Sequence, residues 1–304
     1  MNYIEFKDFL LELVSEKLGP DYIYEIREVS KNNAKRLDGL VIRREDCNIS
    51  PTIYLESFYD DYEKGRSCAS IVEEIIAIYK ENALEESIDV EGLMDFDNAK
   101  DRIIYKLVNY QKNEILLWRH PHIRVLDLAI VFSYMIDCDQ SGGASILINH
   151  EHAKLWNLKA SDLLRLAQEN TPKLLGYTLR DLFEYVSSVQ PDYLPGDINP
   201  ELLDGSDCEP IYILTNKPGL YGAGAILYKD ILPKLAEHFN SSFYILPCSI
   251  HELILVPESP QTDEEMLSQM VKEVNKSAVR DEDLLSDSVY FYDQMTDKVR
   301  LVAS

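Results

Sequence analysis

Apolar residues near the start of the chain recur every three or four positions, as they do on one face of an α-helix. The six residues of this pattern are Phe6, Phe9, Leu10, Leu13, Val14 and Leu18. Gly19-Pro20 follows and cannot continue a helix. Strand-like patterns then cover 22–29 and 37–44, and a short apolar run covers 52–55. The first 55 residues are therefore predicted to form a helix and a three-stranded antiparallel meander.

A second helix is predicted after the meander. Ser70 and Glu73 have the spacing of a capping box at the start of IVEEIIAIYKENA. The apolar residues that share one face of this helix are Ile71, Ile75, Ile76 and Tyr79. Residues 1–95 are thus predicted to be an N-terminal α+β module with the order helix, meander, helix.

Residues 96–190 show a mixed pattern. Apolar positions over 98–118 follow helical spacing, whereas VLDLAIVFSYMI and GASILI look like two strands of a hairpin. Short helices are expected afterwards, with starts at Thr171-Pro172 and at the capping-box spacing of Thr178–Asp181. This middle segment is predicted to combine helices with one hairpin.

The stretch QPDYLPGDINPELLDGSDCEP contains four prolines and two glycines, which predicts a linker or long loop over 191–210. Residues 211–304 are predicted to form a C-terminal α+β module with an antiparallel sheet, because adjacent strands are joined by short turns. The elements expected there are strands IYILT, SFYIL and ELILV, a helix over 226–239, a helix capped by Thr262 and Glu265, and a hairpin over 289–302.

The charge balance narrows the classes of molecule that are expected to bind this protein. The chain has 53 acidic and 30 basic residues, a formal net charge of −23, which opposes contact with phosphate backbones and anionic membranes. The start lacks the basic and apolar regions of a signal peptide, and no apolar run reaches the length of a membrane span. We therefore expect a cytoplasmic protein. Its five cysteines include no C-x-x-C pair and are expected to be reduced thiols.

His150 and His152 are the candidates for metal ligands, because residues two apart at a strand end point to one face. The other four histidines have no recognised ligand spacing. Asn149 has the character of a helix N-cap, which would separate the two imidazoles. No metal or other cofactor is predicted.

The segment TNKPGLYGAGAILYKD places Lys217, Gly219, Gly222 and Gly224 between a predicted strand and helix. Backbone N–H groups can bind phosphate in such a setting. The order matches neither G-x-G-x-x-G nor a P-loop, and the net charge disfavours anions. The glycines are better explained by close packing of backbone segments.

The segment LPCSIHELILVP contains Cys248, Ser249, His251 and Glu252. On a strand, Ser249 and His251 share one face, and the other two share the opposite face. Neither face then holds a complete nucleophile, base and acid, and G-x-S-x-G is missing from the sequence. No catalytic residue is predicted.

Four aromatic residues, Tyr54, Phe58, Tyr59 and Tyr62, would share one side of a short helix if Pro51 began a helix. We call them the aromatic stripe. An exposed aromatic stripe would be a protein-contact surface, since aromatics dominate binding hot spots. A buried one would belong to the core of the N-terminal module.

The strings LDGLVIRREDCNISPTIYLESFYDDYEKG, HPHIRVLDLAIVF, YILTNKPGLYGAGAILYKDIL and FYILPCSIHELILVP together resemble the bacterial family DUF5688. The resemblance covers nearly the whole chain and implies cytoplasmic bacterial proteins of unknown function with no assigned catalytic residues. The N-terminal module also resembles, in topology alone, the acidic chaperones of type III secretion.

Three functional hypotheses follow. The first is a protein-binding adaptor or chaperone-like protein, whose acidic surface would favour a basic partner and which could form a homodimer. The second is an enzyme whose site forms only in three dimensions, with His251, Glu252, Asp38 and His150 as candidates. The third is an acidic mimic of nucleic acid. Direct binding to nucleic acid or membranes is not expected.

Overall fold

The chain contains two compact units, Met1–Glu91 and Gly92–Ser304. The computed structural model describes residues 1–44, 47, 50–83, 91–139, 142–182 and 210–303. The predicted linker over 191–210 therefore lies outside the described residues, apart from Pro210. None of the helices in these ranges is long and apolar enough to cross a bilayer.

The first unit has the predicted order of a helix, an antiparallel meander and a helix, with one short helix added. Its elements are α1 (Tyr3–Leu18), β1 (Tyr22–Ser30), β2 (Arg36–Arg44), β3 (Thr52–Tyr54), α2 (Glu56–Glu63) and α3 (Cys68–Asn82). The strands lie in the order β1-β2-β3. One detail of the prediction was wrong: α3 begins after Ser67, whose side chain accepts the backbone N–H of Ser70, so Ser70 is not the N-cap.

The core of the first unit lies between the meander and its helices. Its fully buried side chains come from α1, β2, the turn after β3 and α3, and they are Phe6, Leu10, Val14, Leu40, Ile42, Leu55, Ile71, Val72 and Ile75. The apolar face of each helix therefore meets the sheet, as the helical spacing predicted. Burial of these side chains stabilises the unit by roughly 2 kcal/mol each before conformational entropy is subtracted.

The second unit contains two antiparallel sheets, which we call sheet A and sheet B. Sheet A has strand order β4-β6-β5, and β7 also pairs with β6. The elements that form and surround it are α4 (Glu91–Met94), α5 (Phe96–Ala99), β4 (Ile103–Asn109), α6 (Glu114–Arg119), β5 (His122–Val125), β6 (Leu128–Asp139), β7 (Gly142–Leu147), α7 (His150–Leu155) and α8 (Ala160–Leu175). The predicted hairpin is confirmed as the pairing of β6 with β7.

The predicted helix over 98–118 was wrong at its centre, where the chain forms β4. Six of the seven residues of β4 are buried, on both faces of the strand. A strand covered on both faces carries an apolar run that also fits helical spacing, so periodicity alone does not separate the two. The β-branched pair Ile103-Ile104 favours the strand.

Two predicted helix starts were also wrong. Thr171 and Pro172 lie inside α8, and Thr178–Asp181 forms a strand, β8, that pairs with β9 (Tyr212–Thr215). Thr171 is held in the helix because its hydroxyl donates to the carbonyl of Ala167 and accepts the backbone N–H of Tyr105. The hydrogen bond from the backbone of Tyr105 to Thr171 is a tertiary contact, and it offsets the helix hydrogen bond that Pro172 cannot donate.

Sheet B has six strands in the order β13-β12-β10-β11-β9-β8. Its remaining elements are β10 (Phe243–Leu246), β11 (Leu253–Pro257), β12 (Val289–Asp293) and β13 (Lys298–Ala303), with helices α9 (Ile231–Phe239) and α10 (Glu264–Ser277). Helix α9 starts later than the predicted residue 226, because a 3₁₀ turn occupies Gly222–Leu227. The N-cap of α10 is Asp263 and not Thr262.

The two faces of sheet B belong to different core clusters. Alternate residues such as Phe243 and Ile245 join the main core, which sheet A shares. Their neighbours Tyr244 and Leu246 face a smaller cluster with Leu267 and other residues of α10. Alternation along each strand thus places sheet B between α10 and the main core.

Gly222 allows close approach of the segment after β9 to the segment before β11. A Cβ atom at Gly222 would lie 2.1 Å from Oγ1 of Thr215 and 2.4 Å from the carbonyl oxygen of His251. At Gly224 the nearest atom, on the ring of Tyr105, would be 3.3 Å away. Close packing therefore requires glycine at 222 far more strictly than at 224.

The Gly222→Ala variant is expected to lower the free energy of unfolding by about 2 kcal/mol, because backbone atoms must move to admit a methyl group. Gly224→Ala is the matched control and should cost less, since only a side-chain ring has to shift. Urea unfolding of both variants measures the difference. Equal losses of unfolding free energy in the two variants would contradict the close approach at Gly222.

Candidate functional site

The second unit contains an apolar pocket of about 230 Å³ that is partly open to solvent. Both sheets, the 3₁₀ turn and α9 contribute to its wall. The lining residues are Leu107, Val125, Leu126, Leu128, Ile226, Leu227, Leu232, Ile245, Pro247, Leu253, Tyr290 and Val299. Eleven of these twelve side chains carry no polar atom, so the pocket is suited to an apolar group.

Leu126 lies in an unusual backbone conformation in this wall. Leu126 and Asp127 form a two-residue turn between β5 and β6, since Val125 pairs with Leu128. The φ angle of Leu126 is 54°, a left-handed value that glycine or asparagine would adopt more easily. This conformation costs a leucine about 1–2 kcal/mol. Leu126 is nevertheless 40% exposed as a residue, so its burial does not account for the cost.

Asp127 anchors the turn to sheet B. Its carboxylate accepts hydrogen bonds from the hydroxyl of Ser286 at 2.5 Å, from the hydroxyl of Ser288 at 3.0 Å, and from the hydroxyl of Tyr290. Its carbonyl oxygen also accepts the backbone N–H of Tyr110 at 2.9 Å. These contacts hold the β5–β6 turn of sheet A against the start of β12. We call Asp127 with its three hydroxyl donors the Asp127 cluster.

Tyr290 connects the Asp127 cluster to the pocket, because its ring lines the pocket and its hydroxyl donates to Asp127. Burial raises the pKa of Tyr290 far above its ordinary value, and the hydrogen bond and charge of Asp127 raise it further. The phenol therefore remains protonated and donates to the carboxylate throughout the physiological pH range.

The aromatic stripe does not form one side of a helix. Tyr54 lies in β3, where Nζ of Lys31 is 4.1 Å from its ring centroid, and Phe58 is buried in α2. Tyr59 and Tyr62 are half-buried. Their ring centroids each lie 5.2 Å from that of Phe6, in α1. Three of the four residues thus contribute to the core of the first unit, and their role in protein contact stays a prediction.

His150 and His152 both lie in the first turn of α7, after the N-cap Asn149. The Nδ1 atom of His152 accepts the backbone N–H of Asn149 at 3.4 Å, and its ring stacks on Trp156. Burial lowers the pKa of His152, which keeps the imidazole neutral for this capping role. Within the described ranges, no group of three or more histidine, cysteine, aspartate or glutamate side chains is placed to hold a metal ion.

The four candidates of the LPCSIHELILVP segment, Cys248, Ser249, His251 and Glu252, all lie in the loop between β10 and β11. Nε2 of His251 lies 3.2 Å from Oδ1 of Asp283, and the hydroxyl of Ser249 accepts the backbone N–H of His251. Burial alone would raise the pKa of Asp283, but His251 and Arg280 outweigh it and lower that pKa. Burial raises the pKa of the Cys248 thiol to about 12, so it is not a nucleophile at neutral pH.

The four candidates of the enzyme hypothesis are divided between the two units. Asp38 lies in β2 of the first unit, and His150 lies in α7 of the second. His251 and Glu252 precede β11, and neither of them lines the apolar pocket.

The Leu126–Asp127 turn was not predicted, because the pattern of VLDLAIVFSYMI resembles one continuous strand. The signal was Asp127 itself, since aspartate is rare in a buried strand and common in turns. Its partners Ser286, Ser288 and Tyr290 are more than 150 positions away, and no local pattern connects them with Asp127.

The Asp127→Asn variant is expected to lower the free energy of unfolding by about 2 kcal/mol, because three hydroxyls lose a charged acceptor. Asp297→Asn is the matched control: Asp297 accepts one hydroxyl, that of Tyr292, from an exposed turn, and asparagine tolerates its φ of 51°. Urea unfolding compares the two variants. An equal effect of both would show that the Asp127 cluster does not hold the sheets together.

Comparisons with known proteins identify the family and assign no activity. The model of a family of unknown function, DUF5688, matches residues 3–294. No curated protein and no solved structure matches the chain. The topological likeness of the first unit to type III secretion chaperones therefore has no support. Since the family match spans nearly the whole sequence, the chain belongs to the DUF5688 family, whose function is unknown.

Proposed function

We propose that this protein is an adaptor that binds another protein by accepting an apolar anchor residue in the pocket between sheets A and B. The observation that carries the proposal is a half-open apolar pocket with a partly exposed leucine, Leu126, in a strained backbone conformation. Strain of this kind persists only where the surrounding structure imposes it, and it concentrates at functional sites.

The size of the pocket fits a side chain or a short apolar segment. An apolar protein cavity of roughly 150 Å³ accommodates benzene. A pocket of about 230 Å³ therefore has room for a leucine, phenylalanine or methionine side chain. Burial of one such side chain contributes about 2 kcal/mol to binding, which is typical of the anchor residue of a protein interface.

The exposed edge of the pocket favours a protein over a small molecule as the ligand. A small apolar molecule would fill the pocket and leave the outer part of Leu126 in water. A partner protein would cover Leu126 as well, and that added burial would offset the cost of its left-handed conformation. The net charge of −23 further favours a partner with basic residues next to its anchor, since opposite charges steer association.

Site-specific photo-crosslinking in cells of the source organism tests the proposal. A photoreactive benzoylphenylalanine at Leu126 is expected to give one discrete adduct with a partner protein. The same residue at Met266, which is 66% exposed on α10, is the control and should not give that adduct. Helix α10 packs on the face of sheet B that does not line the pocket.

The crosslink should also depend on the pocket. Leu232→Trp introduces a larger side chain from α9 and is expected to abolish the adduct at position 126 without unfolding the protein, as circular dichroism would verify. Raised salt should weaken the adduct if the partner is basic. An adduct that survives Leu232→Trp, or one that forms equally at Met266, would refute the adaptor hypothesis.

Leu126→Asn separates stability from binding. Asparagine adopts a left-handed conformation readily, so the variant should be at least as stable as the parent in urea unfolding. It lacks the apolar surface of leucine, so it should bind the crosslinked partner about tenfold more weakly in a purified binding assay. Unchanged affinity would show that Leu126 is not part of the interface.

A further inference from the structure

A second cavity of the second unit has several basic residues in its lining. It measures about 410 Å³ and lies between the C-terminal end of α8 and the start of α9. Its lining residues are Pro172, Gly176, Tyr177, Lys217, Tyr228, Lys229, Ile231 and Lys234. Three lysines therefore surround one concave site in a chain with an excess of 23 negative charges. We call this cavity the lysine pocket.

The three lysines have no acidic partner among the residues that the structure describes. Within those ranges their ammonium groups make no ion pair or hydrogen bond, and none of the described residues that line the cavity carries a carboxylate. The adjacent Asp230 makes no side-chain cap on α9 and no ion pair with them. All three lysines line the same cavity, so an anion bound there would be attracted by three positive charges.

The wall of the lysine pocket is held in place by contacts at the end of α8. Gly176 has a φ of 57°, and a Cβ atom there would lie 3.1 Å from Cε of Lys217, so the aliphatic part of Lys217 packs closely on this glycine. The hydroxyl of Tyr228 donates to the carbonyl of Gly176 at 2.9 Å. Tyr177 is 44% exposed as a residue, and its ring stands edge-on to the Tyr228 ring.

A structural role for these lysines would be to offset the negative end of the α8 dipole. Only Lys217 makes a contact there, through its backbone N–H, which donates to the carbonyl of Leu175 at 3.1 Å. Lys229 precedes α9 and Lys234 lies in its first turn, and neither makes such a contact. A helix-dipole role therefore leaves two of the three lysines without an explanation.

We propose that the lysine pocket binds a small phosphorylated molecule with two or more negative charges, with its phosphates among Lys217, Lys229 and Lys234. Lysine ammonium groups bind phosphate as point charges from several directions. The exposed ring of Tyr177 provides a surface on which a flat ring of the ligand can stack. This inference is independent of the adaptor function, because the two cavities share no lining residue.

Isothermal titration calorimetry of the full chain with pyrophosphate, at low salt, tests the proposal. Binding is expected and should weaken as salt is raised. Lys217→Met and Lys234→Met, which keep most of the aliphatic chain, should each weaken binding about tenfold or more. Lys276→Met, in the exposed last turn of α10, removes the same charge elsewhere in the unit and should leave affinity unchanged.

Two results would overturn the proposal. One is the lack of any binding of pyrophosphate or adenosine diphosphate at millimolar concentration. The other is an equal loss of affinity in the Lys276→Met control, which would indicate diffuse electrostatic attraction. Adenosine diphosphate could also bind more tightly than pyrophosphate, and Tyr177→Ala could abolish that difference. This result would show that the ring of the ligand stacks on Tyr177.

Discussion

The arrangement of the second unit depends on one carboxylate. Asp127 has no ion pair among the described residues, so its charge is stabilised by hydroxyl donors from Ser286, Ser288 and Tyr290. Such a group is costly to bury unless its hydrogen bonds are made. The cluster thereby favours the single arrangement in which the β5–β6 turn meets the start of β12. The apolar pocket forms beside this contact, with Leu126 and Tyr290 in its wall.

The two cavities of the second unit differ in the residues that line them. The pocket between the sheets is almost wholly apolar, whereas the lysine pocket gathers three cations in an acidic chain. The net charge therefore describes the average surface and not the local sites. Electrostatic attraction at a site depends on the charges within a Debye length of about 8–10 Å, and the average over the chain is screened beyond that distance.

The tyrosines show that composition alone does not separate a contact surface from a core. The chain has 19 of them, and an excess of tyrosine is typical of binding surfaces. In this structure many are structural, such as Tyr59 and Tyr62 against α1, Tyr228 on the carbonyl of Gly176, and Tyr290 on Asp127. A tyrosine can fill a core with its ring and satisfy a polar group with its hydroxyl.

The sequence by itself determined the local elements whose pattern is amphipathic, and with them the α+β class and the helix, meander, helix order of the first unit. Its strands pair with their neighbours in sequence, so local alternation and turns suffice. Only the tertiary structure decided that residues 103–109 form β4, since a strand buried on both faces has no diagnostic period. The tertiary structure also decided where the cavities form. Contacts such as that of Asp127 with Tyr290 join residues 163 positions apart, and no local pattern encodes them.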